Sequence, residues 1–217
     1  KGWLRWPVFR FRADLVKANI AFLSIDMATI LYFRSDIVLL KYLGQEPQDV
    51  GQYAAAYRVL EGVILLATPV ALIAFRILRL RWVQQSGFLR LFQALLLAMF
   101  LAAAVILMLG IMWGQELMLF VFGGEYREAG ELLFWLLFSL LFILPNYILT
   151  QGAIAMGREK GYAWGAVGAA VINIVLNLLW IPRFGVLGAA WATIAAEGCL
   201  FLGLGWVLLH SWRASKL

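Results

Sequence analysis

Charge is scarce in this sequence. Only 14% of the residues are charged, whereas 64% are hydrophobic and the mean hydropathy is +0.88. Soluble domains usually carry about 25% charged residues, so the composition excludes a soluble globular domain and indicates an all-α integral membrane protein. One span needs about 20 apolar residues. The chain of 217 residues therefore has room for about six helices with short loops, and for no large soluble domain.

Cysteine and histidine occur once each, as Cys199 and His210. A single cysteine excludes an intrachain disulfide framework, and one histidine with one cysteine cannot build the usual zinc sites. The sequence also has no P-loop, no paired metal-ligand spacing and no Ser/His/Asp set. We therefore expect no enzymatic activity, no cofactor and no metal site.

The net charge of +6 would by itself fit nucleic-acid binding. Basic loops on one side of a membrane explain the charge better, and we expect no nucleic-acid partner. Acidic residues predominate in the intervening loops, whereas most of the basic residues fall in four alternate segments, 1–17, 76–90, 158–160 and 210–217. The positive-inside rule then predicts a multi-pass protein of the cytoplasmic (inner) membrane with both termini in the cytoplasm.

The apolar runs divide the chain into a short linker and one membrane domain. Residues 1–13 mix aromatic and basic side chains, which is typical of a segment that contacts membrane lipids at the cytoplasmic face. Residues 14–217 are predicted to form a bundle of six transmembrane helices, at about 16–42, 50–78, 90–114, 131–152, 161–181 and 186–209. The chain begins with Lys1 rather than Met and shows no signal peptide, so we expect a fragment of a longer protein.

Six ionisable side chains lie inside the predicted spans. Each costs at least about 2.5 kcal/mol in hydrocarbon on insertion scales, so each needs compensation. Such groups are the first place to look for function in a membrane protein. They are the basic Arg34 and Arg58 and the acidic Asp26, Asp36, Glu61 and Glu197.

The first two spans would form a hairpin with its turn centred near Pro47. Asp36 and Arg58 then lie at equal depth on antiparallel neighbours, and Arg34 and Glu61 nearly so. Arg34 and Asp36 are two residues apart and point to nearly opposite sides of a helix, so both pairs cannot form well. We expect an Asp36–Arg58 pair supported by Glu61, with Arg34 facing a cavity.

Three stretches of the chain resemble the polysaccharide flippases of the multidrug/oligosaccharidyl-lipid/polysaccharide exporter superfamily. The residues from Tyr32 (YFRSDIVLL) and from Val50 (VGQYAAAYRVLE) are similar to the seventh and eighth helices of that family. The stretch FGGEY from Phe122 fits the loop before the tenth helix. The stretch NIVLNLLWIPRFGVLGAAWAT from Asn173 is similar to the eleventh and twelfth helices.

The resemblance implies the C-terminal lobe of a transporter that has twelve to fourteen helices in two lobes, with the N-terminal lobe missing here. It implies a flippase that moves polyprenyl-linked oligosaccharides or polysaccharide precursors across the membrane by alternating access. An arginine, Arg34 ahead of Arg58, would bind the pyrophosphate through bidentate hydrogen bonds. Asn177 could contact sugar hydroxyls as part of the substrate site, or could form interhelical hydrogen bonds with its neighbours.

The acidic residues leave other interpretations open. Asp26 has no base at its predicted depth, so it could carry a coupling proton or cation, or pair with a base of the missing lobe. Glu197, near the middle of the sixth span, could likewise carry a coupling ion. Asp36 and Glu61 could couple transport, or could only neutralise the charge of the hairpin. Two alternatives to the flippase follow. One is a cation-coupled multidrug antiporter of the same superfamily, and the other is a non-transporting membrane partner of glycosyltransferases.

Overall fold

The computed structural model describes residues 35–214, with side chains as far as Trp212. All regular secondary structure in this part of the chain is helical, as predicted. Residues 35–42 form helix α1 as far as it is described. Four longer helices follow, α2 Pro47–Val83, α3 Phe88–Phe122, α4 Ala129–Ala155 and α5 Glu159–Ala214, and a 3-10 turn, Gly124–Tyr126, precedes α4.

Helices α2 to α5 are each long and apolar enough to cross a membrane. With 37 and 35 residues, α2 and α3 are each about 50 Å long at 1.5 Å per residue, which exceeds the ~30 Å of a hydrocarbon core. Their ends therefore extend into the headgroup regions. The predicted span 16–42 lies mostly outside the described residues, so the bundle of six spans stays a prediction.

Helix α4 is the central helix of the described bundle. It packs against α2, α3 and α5, and 67% of its most apolar stretch is buried, compared with 11–22% for the other three helices. Many large apolar side chains on those three helices are exposed. Apolar surface on that scale marks a membrane contact rather than a water-facing surface.

Helix α5 is broken at Gly185, whose backbone has φ 59° and ψ −139°. Glycine adopts this conformation at no steric cost, so the break occurs where the sequence permits it. It divides α5 into a first arm, 159–184, and a second arm, 186–214. The arms are antiparallel, because a Cβ added to Gly161 near the start of the first arm would lie 3.2 Å from Val207 near the end of the second.

The two arms of α5 approach each other closely just after the break. A Cβ on Gly188 would lie 2.5 Å from the carbonyl oxygen of Trp180, and Ala189 and Ala190 are fully buried. Small residues at 188–190 therefore permit this close packing of the two arms. This packing brings polar side chains of both arms to the same side of the hairpin.

Two side chains of α2 hold the ends of α4. Gln52 accepts a hydrogen bond from the Ala129 amide at 3.0 Å and donates one to the Glu125 carbonyl at 2.5 Å. At the other end, Arg79 donates to the Ala155 carbonyl at 2.6 Å, where a cation also interacts favourably with the helix dipole. The bonds to Ala129 and Ala155 satisfy terminal backbone groups of α4, and the bond to Glu125 holds the 3-10 turn that precedes it. Together they fix α2 alongside α4.

Candidate functional site

Asp36 lies at the centre of a polar cluster built from α1, α2 and both arms of α5. Its side chain is 2% exposed. Oδ2 accepts hydrogen bonds from the hydroxyls of Tyr53 at 3.1 Å and Thr193 at 2.9 Å, and Oδ1 accepts one from the Asn177 amide at 2.6 Å. We call these four residues, together with Asn173, the Asp36 cluster.

The two asparagines of the cluster lie on one face of the first arm of α5. The side-chain nitrogen of Asn177 also donates to Oδ1 of Asn173 at 3.0 Å. Oδ1 of Asn177 is buried and, among the residues that the structure describes, has no hydrogen-bond partner. The Thr193 hydroxyl lies 3.3 Å from the Ala189 carbonyl oxygen. Carboxylate, amide, hydroxyl and main-chain oxygens therefore occur together in this cluster.

The donors that hold Asp36 are all electrically neutral. Hydrogen bonds to a charged group contribute about 1.5–3 kcal/mol each, which offsets part of the cost of burying a carboxylate but leaves its charge in place. Within the described part of the chain, no group of three His, Cys, Asp or Glu residues could hold a metal ion. A carboxylate held in this way still requires a counter-charge or a proton.

The predicted Asp36–Arg58 pair is wrong. Arg58 is exposed, and none of the hydrogen bonds to Asp36 comes from it. Pro47 is the first residue of α2 rather than the middle of the turn, as expected for a proline at a helix N-terminus. The residue of α2 at the depth of Asp36 is then Tyr53, and Arg58 follows it at about 140° around the helix.

The remaining predicted site residues separate into two groups. Asp26 and Arg34 lie outside the described residues, so their roles stay predictions. Asn177 is fully buried and its amide donates a hydrogen bond across helices to Asp36, which is the interhelical alternative, and its contact with a sugar stays a prediction. Glu61 is partly exposed on α2, and its role in coupling stays a prediction.

Glu197 belongs to a second polar cluster, between α4 and the second arm of α5. It is 4% exposed, and Oε2 accepts a hydrogen bond from the Asn146 amide at 2.8 Å. The same amide nitrogen donates to the Glu197 main-chain carbonyl at 3.0 Å. Because that carbonyl can only accept, the orientation of the Asn146 amide is fixed. Tyr147 and Tyr162 lie close enough to interact electrostatically with Glu197.

The sequence-based candidates omitted Tyr53, Thr193 and Asn146. A signal for Thr193 is present in the sequence, because Asn177 and Thr193 lie equally far before and after Gly185. In an antiparallel hairpin that turns at Gly185, the two side chains are at the same depth. Asn146 has no comparable signal beyond being an amide in an otherwise apolar span.

Comparison with curated proteins connects the chain to a transporter. The chain is 26% identical over 213 residues to the probable multidrug resistance protein NorM of Pseudomonas syringae pv. tomato (strain ATCC BAA-871 / DC3000), in an alignment that covers 93% of this chain and 44% of NorM. The chain thus spans less than half the length of this relative. No family model matches the chain, and no solved structure matches it significantly.

This similarity supports a membrane transporter of the multidrug/oligosaccharidyl-lipid/polysaccharide exporter superfamily. A membrane location agrees with the four long apolar helices of the described residues, and a transporter as relative agrees with the expectation that the chain is not an enzyme. The polysaccharide flippase family, which the sequence motifs resemble, is not confirmed.

Proposed function

We propose that this chain is one lobe of a cation-coupled membrane exporter, in which Asp36 carries the coupling proton or monovalent cation. The observation that carries the proposal is the buried Asp36 carboxylate, held by neutral donors from α1, α2 and both arms of α5. Intramembrane carboxylates of this kind mark ion and proton pathways. The similarity to a probable multidrug resistance protein supports the transporter class.

The Asp36 cluster contains the ligand atoms that a hard cation prefers, which are oxygens. A cation at Asp36 would displace the Asn177 amide nitrogen, which now lies 2.6 Å from Oδ1 of Asp36. A half-turn of that amide would direct Oδ1 of Asn177, buried and without a partner in the described structure, towards the cation. Thr193 and the Ala189 carbonyl would complete an oxygen set with one negative charge, which matches a monovalent ion.

Occupancy of the cluster would be coupled to the arrangement of the helices. The hydrogen bonds of Asp36 connect α1, α2 and both arms of α5, and neutralising the carboxylate changes every one of them. A cation shifts an equilibrium between two arrangements only by the difference in its affinity for them. A cluster whose donors come from separate segments provides that difference, as alternating access requires.

Two classes of exported molecule remain candidates. A multidrug substrate agrees with the name of the relative and with buried carboxylates at Asp36 and Glu197. A lipid-linked oligosaccharide is favoured by Arg58, which is exposed on α2 about 17 Å along the helix from Pro47. A guanidinium exposed at that depth requires water or an anion as its partner, and a pyrophosphate would supply the anion. The transporter relative favours both candidates over a non-transporting partner of glycosyltransferases.

Thr193 provides a test that leaves the charge of the cluster unchanged. Thr193→Val replaces the hydroxyl that hydrogen-bonds Asp36 with a methyl group of similar size, and Thr193→Ser keeps the hydroxyl. A hydrogen bond to a charged group is worth about 1.5–3 kcal/mol, so we expect gradient-driven export by the complete protein to fall about tenfold or more in Thr193→Val. Export is measured in inverted vesicles with an imposed Na⁺ or proton gradient.

The serine variant is the matched control and is expected to stay close to wild type. Running the assay with a cationic dye and with a lipid-linked oligosaccharide as cargo separates the two substrate classes. Equal activity of the valine and serine variants for every cargo would show that Thr193 does not act through Asp36, and would count against the proposed coupling site.

A further inference from the structure

A cavity of about 520 Å³ lies at the end of the bundle where the basic segment 76–90 is found. It is formed by the end of α2, the turn before α3 and the end of α5. Its lining combines two arginines, three aromatic rings and one amide: Arg81, Trp82, Gln85, Phe88, Arg90 and Trp212. None of these residues belongs to the Asp36 cluster or to the Glu197 cluster.

The three aromatic rings form one continuous wall of this cavity. Trp82 meets Phe88 edge-on with ring centroids 5.2 Å apart, and Trp212 stacks on Phe88 at 5.8 Å. Phe88 is 5% exposed and packs with Leu78 and Ala155 in the core, which anchors the wall. Tryptophans with one apolar and one polar edge are enriched at the headgroup level of membranes. The wall therefore places the cavity at the membrane–water interface.

Positive potential converges on the same cavity from three sources. Arg81 and Arg90 are both exposed, and Nη1 of Arg81 lies 3.7 Å from where a Cβ on Gly87 would be, so its guanidinium lies against the turn. The third source is α3, which begins at Phe88 with no side chain capping its N-terminus. Its first amides lack partners within the helix and favour an anion.

Acidic residues are absent from the segment that forms most of this cavity, 76–90. A neighbouring cavity of about 460 Å³ at the same end of the bundle is different, because Glu159 lies there between Arg158 and Lys160. In that second cavity the charges offset one another. The cavity at Arg81 and Arg90 therefore has the stronger attraction for an anion.

We propose that this cavity binds the phosphate headgroup of an anionic phospholipid from the leaflet on the basic side of the membrane. The phosphate would lie between Arg81 and Arg90, since arginine binds phosphate through paired hydrogen bonds. Leu89, which lines the cavity, and Leu80, which precedes Arg81 on α2, are 38% and 60% exposed and offer apolar surface beside the arginines on which acyl chains can pack. This apolar surface is the reason for choosing a lipid over free phosphate.

The test measures lipid retained by the purified chain. The protein is reconstituted with phosphatidylglycerol and phosphatidylcholine, returned to detergent and examined by native mass spectrometry. We expect wild type to retain phosphatidylglycerol selectively. The variant Arg81→Gln/Arg90→Gln should retain about 25-fold less, since each arginine near an anionic surface contributes a factor of about five.

Two further variants make the test specific. Arg76→Gln/Arg158→Gln removes the same charge from exposed positions outside the cavity and should retain lipid like wild type. Arg81→Lys/Arg90→Lys keeps the charge and the fold but loses the paired hydrogen bonds, and should lose retention about threefold. Equal losses in both glutamine variants would show general attraction to a basic surface. Release of the lipid by inorganic phosphate would show a free-phosphate site, and either result overturns the proposal.

Discussion

Asp36→Asn is expected to reduce cation-driven export by the complete protein to a small residual rate while leaving the protein folded. Asparagine has nearly the same shape, and the hydroxyls of Tyr53 and Thr193 can rotate to accept as well as donate hydrogen bonds. The lost property is the charge. Removing one partner of a buried charge pair costs about 3 kcal/mol or more, so we expect gradient-driven export to fall by roughly a hundredfold. Export in vesicles with an imposed cation gradient measures the effect.

The control for this variant is Glu46→Gln, which removes one negative charge from an exposed position in the turn between α1 and α2. It should export at the wild-type rate, and both variants should show wild-type amounts of protein in the membrane. If Asp36→Asn exports as well as Glu46→Gln does, Asp36 carries no coupling ion. If Asp36→Asn is lost from the membrane, the carboxylate is needed for folding, and the proposed role loses its support.

Gly188→Ala is expected to destabilise the protein strongly, although it adds only a single methyl group. The new Cβ would lie 2.5 Å from the carbonyl oxygen and 2.6 Å from the carbonyl carbon of Trp180. These are backbone atoms of the opposite arm, so no side-chain rotation relieves the overlap. Overpacking of this kind costs on the order of 3 kcal/mol. The measurement is the thermal unfolding midpoint of the purified chain in detergent.

Gly203→Ala is the matched control, because it lies on the same arm of α5 and a Cβ there would have open space around it. It should stabilise the protein by up to about 1 kcal/mol, since alanine is the better helix former. Gly188→Ala should also lower cation binding, because Thr193 lies little more than one turn further along the same arm. A thermal midpoint for Gly188→Ala equal to that of Gly203→Ala would contradict the close approach of the two arms.

The long helices could be predicted from the sequence because they depend on a single property, the hydrophobicity of consecutive residues. Uncharged runs of sufficient length leave the backbone few alternatives in hydrocarbon, and α3 and α4 coincide with such runs. The position of the break in α5 was also predictable, because Pro182 and Gly185 lie close together in the sequence. Whether the two arms touch was less evident, and it depends on the absence of a side chain at Gly188.

The Asp36 cluster could not be predicted in the same way, because it depends on rotation about the helix axes as well as on depth. Placing the turn at Pro47 shifted the depth of α2 by a few residues, and this shift brought Arg58 opposite Asp36 in place of Tyr53. Opposite charges then made an incorrect pair plausible. The donors that Asp36 has in the structure are neutral side chains, and a neutral residue in an apolar span does not by itself indicate a partner.

Ion binding by the purified protein tests the role of Asp36 most directly. Uptake of radioactive Na⁺ and release or uptake of protons are measured at several pH values for wild type and for Asp36→Asn. Protons and Na⁺ compete for one carboxylate, so Na⁺ affinity should rise with pH. The two proteins should differ by one monovalent ion, whether proton or Na⁺, per molecule. Identical Na⁺ and proton binding by wild type and Asp36→Asn would contradict the assignment of Asp36 as the coupling carboxylate.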